Sequence, residues 1–131
     1  MNISKRSEYG LMFLTFLAEK QNSLTSIRVA ARDLKIPYRF LSRIASDLKR
    51  AKLIGSKEGV TGGYFLEKKP QAISLAKLIQ VLDGPLGLVK CQRTSCPKSN
   101  KCSYQKVWNQ LKNEIETELN KFSVANFLHY K

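Results

Sequence analysis

Apolar residues recur along this chain with helical spacing. Over residues 4–21, Tyr9, Met12, Phe13, Phe16 and Leu17 fall three and four positions apart, Ser4 stands where a cap belongs, and Glu8 lies near the start. That stretch reads as an amphipathic helix ended by Asn22-Ser23. Leu24-Thr25-Ser26 is short enough to be a strand or a link. A second helix is predicted over 27–35, with Ile27, Ala30, Ala31 and Leu34 on one face. Lys35-Ile36-Pro37 interrupts it, because proline disfavours helix at the residue before it yet fits a first helical turn. A third helix then runs from Pro37 to Ala51. It directs Phe40, Leu41, Ile44, Ala45 and Leu48 inward and leaves Tyr38, Arg39, Ser42, Arg43, Lys49 and Arg50 outside.

Two short helices joined by a tight turn, the second with a basic and hydroxyl-bearing outer face, form the pattern of a helix-turn-helix. The next segment changes period. Leu53 to Glu58 and Tyr64 to Glu67 read as two short strands flanking the turn Gly59-Val60-Thr61-Gly62-Gly63. A hairpin directly after a helix-turn-helix is a wing, and the Gly62-Gly63 pair is expected to serve a turn that needs positive φ. A further helix spans Ile73 to Asp83 with Ser74 as cap, and Gly84-Pro85-Leu86-Gly87 stops it. Residues 90–105 are a polar loop. A last long helix runs from Gln105 to Lys121, with Trp108, Leu111, Ile115, Leu119 and Phe122 in one stripe, and Ser123 caps a short helix over Val124 to Leu128. The fold class is therefore mainly α with one small β-hairpin.

Charge sharpens this reading. The 131 residues hold 23 Lys or Arg against 10 Asp or Glu, a net +13. Within 27–57, nine basic residues (Arg28, Arg32, Lys35, Arg39, Arg43, Lys49, Arg50, Lys52 and Lys57) face two acidic ones (Asp33 and Asp47), a local excess of +7. A solvated basic surface explains such a run in general. On a helix-turn-helix with a wing, it points instead to a polyanion, double-stranded DNA. A helix fits the major groove, and its N-terminal side chains reach base edges. Tyr38, Arg39, Ser42 and Arg43 occupy that position, and Arg28, Lys49, Lys57, Thr61 and Gly62 complete the candidate DNA contacts. No apolar run approaches the ~20 residues a bilayer span requires, the longest cluster being Leu11 to Ala18 with Thr15 inside it. No membrane partner is expected. The first eight residues lack the apolar core of a signal peptide, so a cytoplasmic protein is expected. With no Ser/His/Asp set, no phosphate-binding glycine loop and a single histidine, His129, an enzyme is not expected.

The second informative motif is Cys91-x4-Cys96-x5-Cys102, set among polar residues. Buried structural cysteines sit in apolar runs, which these do not. Lys90, Arg93, Lys98 and Lys101 favour the thiolate form. Thiolates are soft ligands for zinc or an iron–sulfur cluster. A structural zinc site commonly contains a tight C-x2-C pair, and the wider spacing here suits a larger cluster. Three cysteines leave one position to be filled by another residue, the partner subunit or an exogenous molecule. Within the chain the candidates are His129, Gln105 (a poor ligand) and Glu8, whose plainer role is a carboxylate favouring the positive end of its own helix. Two other readings stay open: metal-free cysteines that sense oxidants directly, and a zinc-stabilised DNA-binding protein.

Along nearly its whole length the chain resembles the IscR/NsrR-type (Rrf family) winged-helix transcription regulators. The resemblance rests on Ser7-Glu8-Tyr9-Gly10, on Ile36 to Leu41, on Leu48 to Ile54, on the wing Gly62-Gly63-Tyr64-Phe65-Leu66, on the cysteine loop and on the long helix after it. It implies a homodimer on a pseudo-palindromic operator, with a winged helix-turn-helix domain over 1–83, a cluster loop over 84–105 and a dimerisation helix with its short terminal helix over 106–131. It also implies an iron–sulfur cluster on Cys91, Cys96 and Cys102 that controls a repressor. Gln105 stands where biogenesis regulators of the family have a histidine ligand. Glu8 matches the position at which the nitric-oxide-sensing branch closes the partner subunit's cluster, with Glu where Asp is usual, and the first cysteine gap is one residue short. On this basis [4Fe–4S] is favoured and [2Fe–2S] is the alternative, with nitric oxide, redox state or iron status as the signal.

Overall fold

The computed structural model describes residues 2–21, 23–89 and 103–128. Its elements are α1 (Lys5–Glu19), α2 (Ile27–Leu34), α3 (Tyr38–Arg50), β1 (Ile54–Lys57), β2 (Gly63–Leu66), a 3-10 turn at Pro70–Ala72, α4 (Leu75–Asp83), α5 (Ser103–Asn120) and a 3-10 turn at Val124–Phe127. The fold is a winged helix with a long helix added.

Serines start three of the helices. The hydroxyls of Ser4, Ser26 and Ser74 accept the backbone N–H of Ser7, Val29 and Lys77, each at 3.1 Å. Ser123 donates its own N–H to Asn126 Oδ1 at 2.8 Å and so fixes the last turn. Lys35 ends α2 in the left-handed conformation, φ 57° and ψ 43°, which turns the chain sharply into Ile36-Pro37 and the start of α3.

One core holds these elements together. Phe13, Leu14 and Leu17 of α1 meet Ala30 and Ala31 of α2, Leu41, Ile44, Ala45 and Leu48 of α3, Leu53 and Ile54, Ile73, Leu78 and Leu82 of α4, and Val124. The inner face of α1 differs from the one its apolar spacing suggests. It is Ser7, Gly10, Phe13, Leu14 and Leu17 that are buried, whereas Tyr9, Met12 and Phe16 are half-buried at its edge. Gly10 explains the rotation: a Cβ there would collide with the Leu82 side chain, so the glycine lets α4 lie close against α1. Tyr9 then packs edge-on to Phe40, with ring centroids 5.5 Å apart.

The hairpin pairs Ile54 with Leu66, Gly55 with Phe65, Ser56 with Tyr64 and Lys57 with Gly63, antiparallel. The Leu24–Ser26 segment contributes a single bridge to the free edge of β2. Thr25 donates to the Tyr64 carbonyl at 3.0 Å and accepts from its N–H at 2.7 Å. The two adjacent glycines meet different needs. Gly63 lies at φ 157°, and a Cβ on it would press on the Thr25 backbone. Positive φ is not what Gly62 supplies. A Cβ there would overlap the carbonyl oxygen of Lys57, so its role is close approach across the turn.

Helix α5 contrasts with the others, because none of its described residues is buried. Tyr104 is 77 % and Val107 65 % exposed, with Leu111 and Phe122 also open. Just past its far end the chain rejoins the core, where the Leu75 N–H donates to the Phe122 carbonyl at 2.9 Å and the Val124 N–H to the Ile73 carbonyl at 3.0 Å.

Candidate nucleic-acid interface and cysteine segment

Successive residues of an α-helix are rotated by about 100°, so apolar positions three and four apart form one side and leave the other free. In α3 that separation is complete. Leu41, Ile44, Ala45 and Leu48 are buried, Tyr38, Arg39, Arg43, Lys49 and Arg50 are exposed, and Ser42 lies at the border. Ser46 also lies on the outer face. It was not among the residues singled out from the sequence, although the helical repeat from Ser42 would have found it. Lys49 sits roughly 9 Å along the axis from Arg43, toward the far end of the helix.

The turn between α2 and α3 brings Arg28 to the first residue of α3. Its guanidinium carbon lies 5.0 Å from the centre of the Tyr38 ring, and Tyr38 itself is 43 % exposed. Among the described residues, Arg28, Arg39, Arg43, Lys49 and Lys57 have no ion-pair partner. Arg32 pairs with Asp33 at 3.0 Å and Arg50 with Asp47 at 3.2 Å. Arg28, Arg39, Arg43, Lys49 and Lys57 stand at the start of α2, on the outer face of α3 and on the wing; Lys20, Lys35, Lys52, Lys68, Lys69, Lys77, Lys106 and Lys112 are also without an ion-pair partner among the described residues. On the wing, Lys57 and Thr61 are exposed, Gly62 is half-buried in the turn and Glu58 contributes one opposing charge. Excess positive charge on a projecting helix and hairpin suits backbone phosphates, while arginines near a helix start suit base edges.

Glu8 lies in the first turn of α1, 52 % exposed, with Lys5 Nζ at 3.5 Å. The same turn carries a set of contacts that no local pattern announces. The Ser4 hydroxyl lies 2.6 and 2.7 Å from the two Asp83 carboxylate oxygens, and the Ser7 hydroxyl donates to one of them at 2.6 Å. Arg6 donates to the Leu82 carbonyl at 3.2 Å and forms an ion pair with Asp47 of α3. The start of α1 is therefore fastened both to the outgoing end of α4 and to α3. Cys91, Cys96, Cys102 and His129 lie outside the described residues, as do Lys90, Arg93, Lys98 and Lys101. Gln105 is half-buried in the first turn of α5. Among the described residues, no group of His, Cys, Asp and Glu is arranged to hold a metal ion, and no helix is long and apolar enough to cross a membrane.

Comparison with known proteins agrees with this geometry. The family model for Rrf2, described as an iron-dependent transcriptional regulator, matches residues 3–130. The HTH-type transcriptional regulator CymR of Bacillus subtilis is 28 % identical over 99 % of this chain and 91 % of its own length. The HTH-type transcriptional regulator IscR of Yersinia pseudotuberculosis is 28 % identical over 98 % of this chain and 71 % of its own. Among solved structures, CymR, the global cysteine regulator of B. subtilis, superposes with a TM-score of 0.78 at 26 % identity, covering 100 % of this chain and 98 % of that one. IscR of T. potens gives 0.76 at 25 % identity, covering 98 % and 86 %.

Proposed function

The chain belongs to the Rrf2 family of transcriptional regulators, and we propose that it is a cytoplasmic homodimeric repressor whose hold on its operator is controlled by an iron–sulfur cluster. The family members it matches are DNA-binding regulators, not enzymes. The observation that carries the DNA reading is the unneutralised basic face of α3, standing beside a wing. In this reading Arg39, Ser42 and Arg43 face base edges in the major groove, Arg28, Lys49 and Lys57 take phosphates, and Thr61 and Gly62 bring the wing to the backbone or minor groove. A two-fold dimer reads a pseudo-palindrome when its two α3 helices stand about 34 Å apart.

The donor set fits the cluster. Cys91, Cys96 and Cys102 supply three soft thiolates, and Glu8 is an exposed carboxylate whose partner among the described residues is the surface lysine Lys5. In the proposed arrangement the three cysteines of one protomer and Glu8 of its partner hold the group, as [4Fe–4S] or else [2Fe–2S]. When bound, it supplies a reactive iron centre suited to sensing nitric oxide, oxygen or iron shortage. The chain's own residues provide the coupling. Ser4, Ser7 and Arg6 bind the first turn of α1 to Asp83 and Leu82, where the path to the cysteines leaves α4, and Arg6 binds the same turn to Asp47 of α3. A shift of that turn is transmitted to the reading helix. The functional division is then winged helix over 1–83, cluster segment over 84–105 and dimerisation segment over 106–131.

Two substitutions test this reading. Arg43→Ala is expected to weaken operator binding by about 1–3 kcal/mol and to relax preference at one base pair, measured by titrating operator variants. A loss uniform over all sequences, with a shallower salt dependence, would instead make Arg43 a phosphate contact. Glu8→Ala is expected to leave the apo-protein folded, with unchanged circular dichroism, and to alter the visible and Mössbauer spectra of anaerobically reconstituted protein. Identical spectra in the variant would remove Glu8 from the site.

The solved structure of an oxidized form of Staphylococcus aureus CymR, 25 % identical with a TM-score of 0.75, supports a second reading, in which the three thiols of this chain respond to oxidants without a metal. A colourless protein that loses thiols under peroxide would favour it.

A further inference from the structure

Arg28 occupies an unusual electrostatic position. It is the second residue of α2, where the free N–H groups of the first turn give the helix end a partial positive charge that disfavours a cation. The first residue of α3 stands beside it, and the cap of α3, Pro37, offers no side-chain hydrogen bond to that helix start. Two positive helix ends thus flank one guanidinium. Among the described residues no carboxylate pairs with it. What it has is the Tyr38 ring, 5.0 Å from its central carbon. An aromatic face attracts a guanidinium modestly and orients it without neutralising it. The charge is held in place and left for an external anion.

We propose that Tyr38 is a positioning residue: its ring holds the Arg28 guanidinium against a DNA phosphate at the edge of the groove that α3 enters, and its hydroxyl reads no base. This rests on the DNA-binding reading above and assigns a task within it. Held in one orientation, Arg28 loses less side-chain freedom when it binds phosphate, which is why the ring matters to affinity. The pair bridges the starts of α2 and α3, so it also sets how α3 is seated at the groove.

The test uses the full chain and a 30-base-pair duplex carrying the operator selected from a random library by the wild-type protein. Affinity is read by fluorescence anisotropy across a KCl series and on base-substituted duplexes. Tyr38→Phe and Tyr38→Trp, which keep a ring, are expected to bind within about twofold of wild type. Tyr38→Leu is expected to lose roughly 5- to 30-fold on every duplex alike, on the scale of a cation–π contact in each of two protomers. Arg28→Ala is expected to lose at least as much and to reduce the slope of log affinity against log salt by about 0.9 for each phosphate given up. The double variant Tyr38→Leu/Arg28→Ala should bind like Arg28→Ala alone. Three results would overturn the assignment: Tyr38→Phe as weak as Tyr38→Leu, which would give the hydroxyl its own contact; losses that multiply in the double variant; or a change of base preference on Tyr38→Leu. Tyr38 is largely at the surface, and the Trp variant keeps the test decisive if the Leu variant is unstable. Wild-type protein that selected no duplex would overturn the DNA reading itself, a result separable from all of these.

Discussion

Replacing Cys91, Cys96 and Cys102 together by serine is expected to give protein that stays colourless after anaerobic reconstitution and whose operator affinity no longer responds to nitric oxide or oxygen. Serine keeps the size and polarity of the segment and removes the soft donors, so the effect isolates ligation. In the wild type, coupling between an effector and DNA affinity of ordinary strength corresponds to a change of about 5- to 150-fold, and the triple variant should show none of it. Iron and sulfide analysis beside operator titration with and without the signal checks both halves. A variant that still takes up iron, or still responds, would remove these cysteines from the sensor. A wild-type protein that never takes up iron or sulfide would transfer the role to the thiols themselves.

The second large effect is expected at α5. Its exposed Tyr104, Val107 and Leu111, with Phe122 just past its end, form an apolar stripe too extended to be incidental on a helix with no buried residue. If a second copy covers that stripe, two-fold symmetry counts each residue twice, and each apolar side chain so buried contributes up to about 1.5–3 kcal/mol. Leu111→Asp would place two carboxylates in that contact with no partner, a cost of several kcal/mol. The expected outcome is a dimer dissociation constant at least about 100-fold higher by sedimentation, which is 2.7 kcal/mol or more. Operator affinity should fall by a similar factor, since a monomer reads one half-site. Circular dichroism should change little, because Leu111 lies outside the monomer core. A variant that sediments as a dimer would exclude Leu111 from the contact.

Much of this arrangement was legible in the sequence because it depends on neighbours along the chain. Helices α1, α2 and α4 begin at serines that cap them, and α3 shows its two faces at a 3.6-residue repeat. The hairpin follows from two short strands around a glycine-rich turn. Where apolar residues covered more than one face, periodicity misled. In α1 it points Tyr9, Met12 and Phe16 inward together with Phe13 and Leu17; Phe13 and Leu17 are buried, but the closer approach that Gly10 allows to Leu82 buries Ser7, Gly10 and Leu14 in place of the other three. A glycine pair in a turn suggests a conformational requirement, but at Gly62 the requirement is spatial, the close approach of the Lys57 carbonyl.

By itself, the sequence determined the order and kind of elements, the basic outer face of α3 and the polar setting of three cysteines, all consequences of side-chain chemistry at fixed spacing. The tertiary structure alone decided which cations lack partners and which apolar face is left uncovered. It also stacked Arg28 on Tyr38 and fastened the first turn of α1 to Asp47 and Asp83. Such pairings join residues up to 79 positions apart. They depend on the angles at which packed helices cross, and no local repeat encodes those angles.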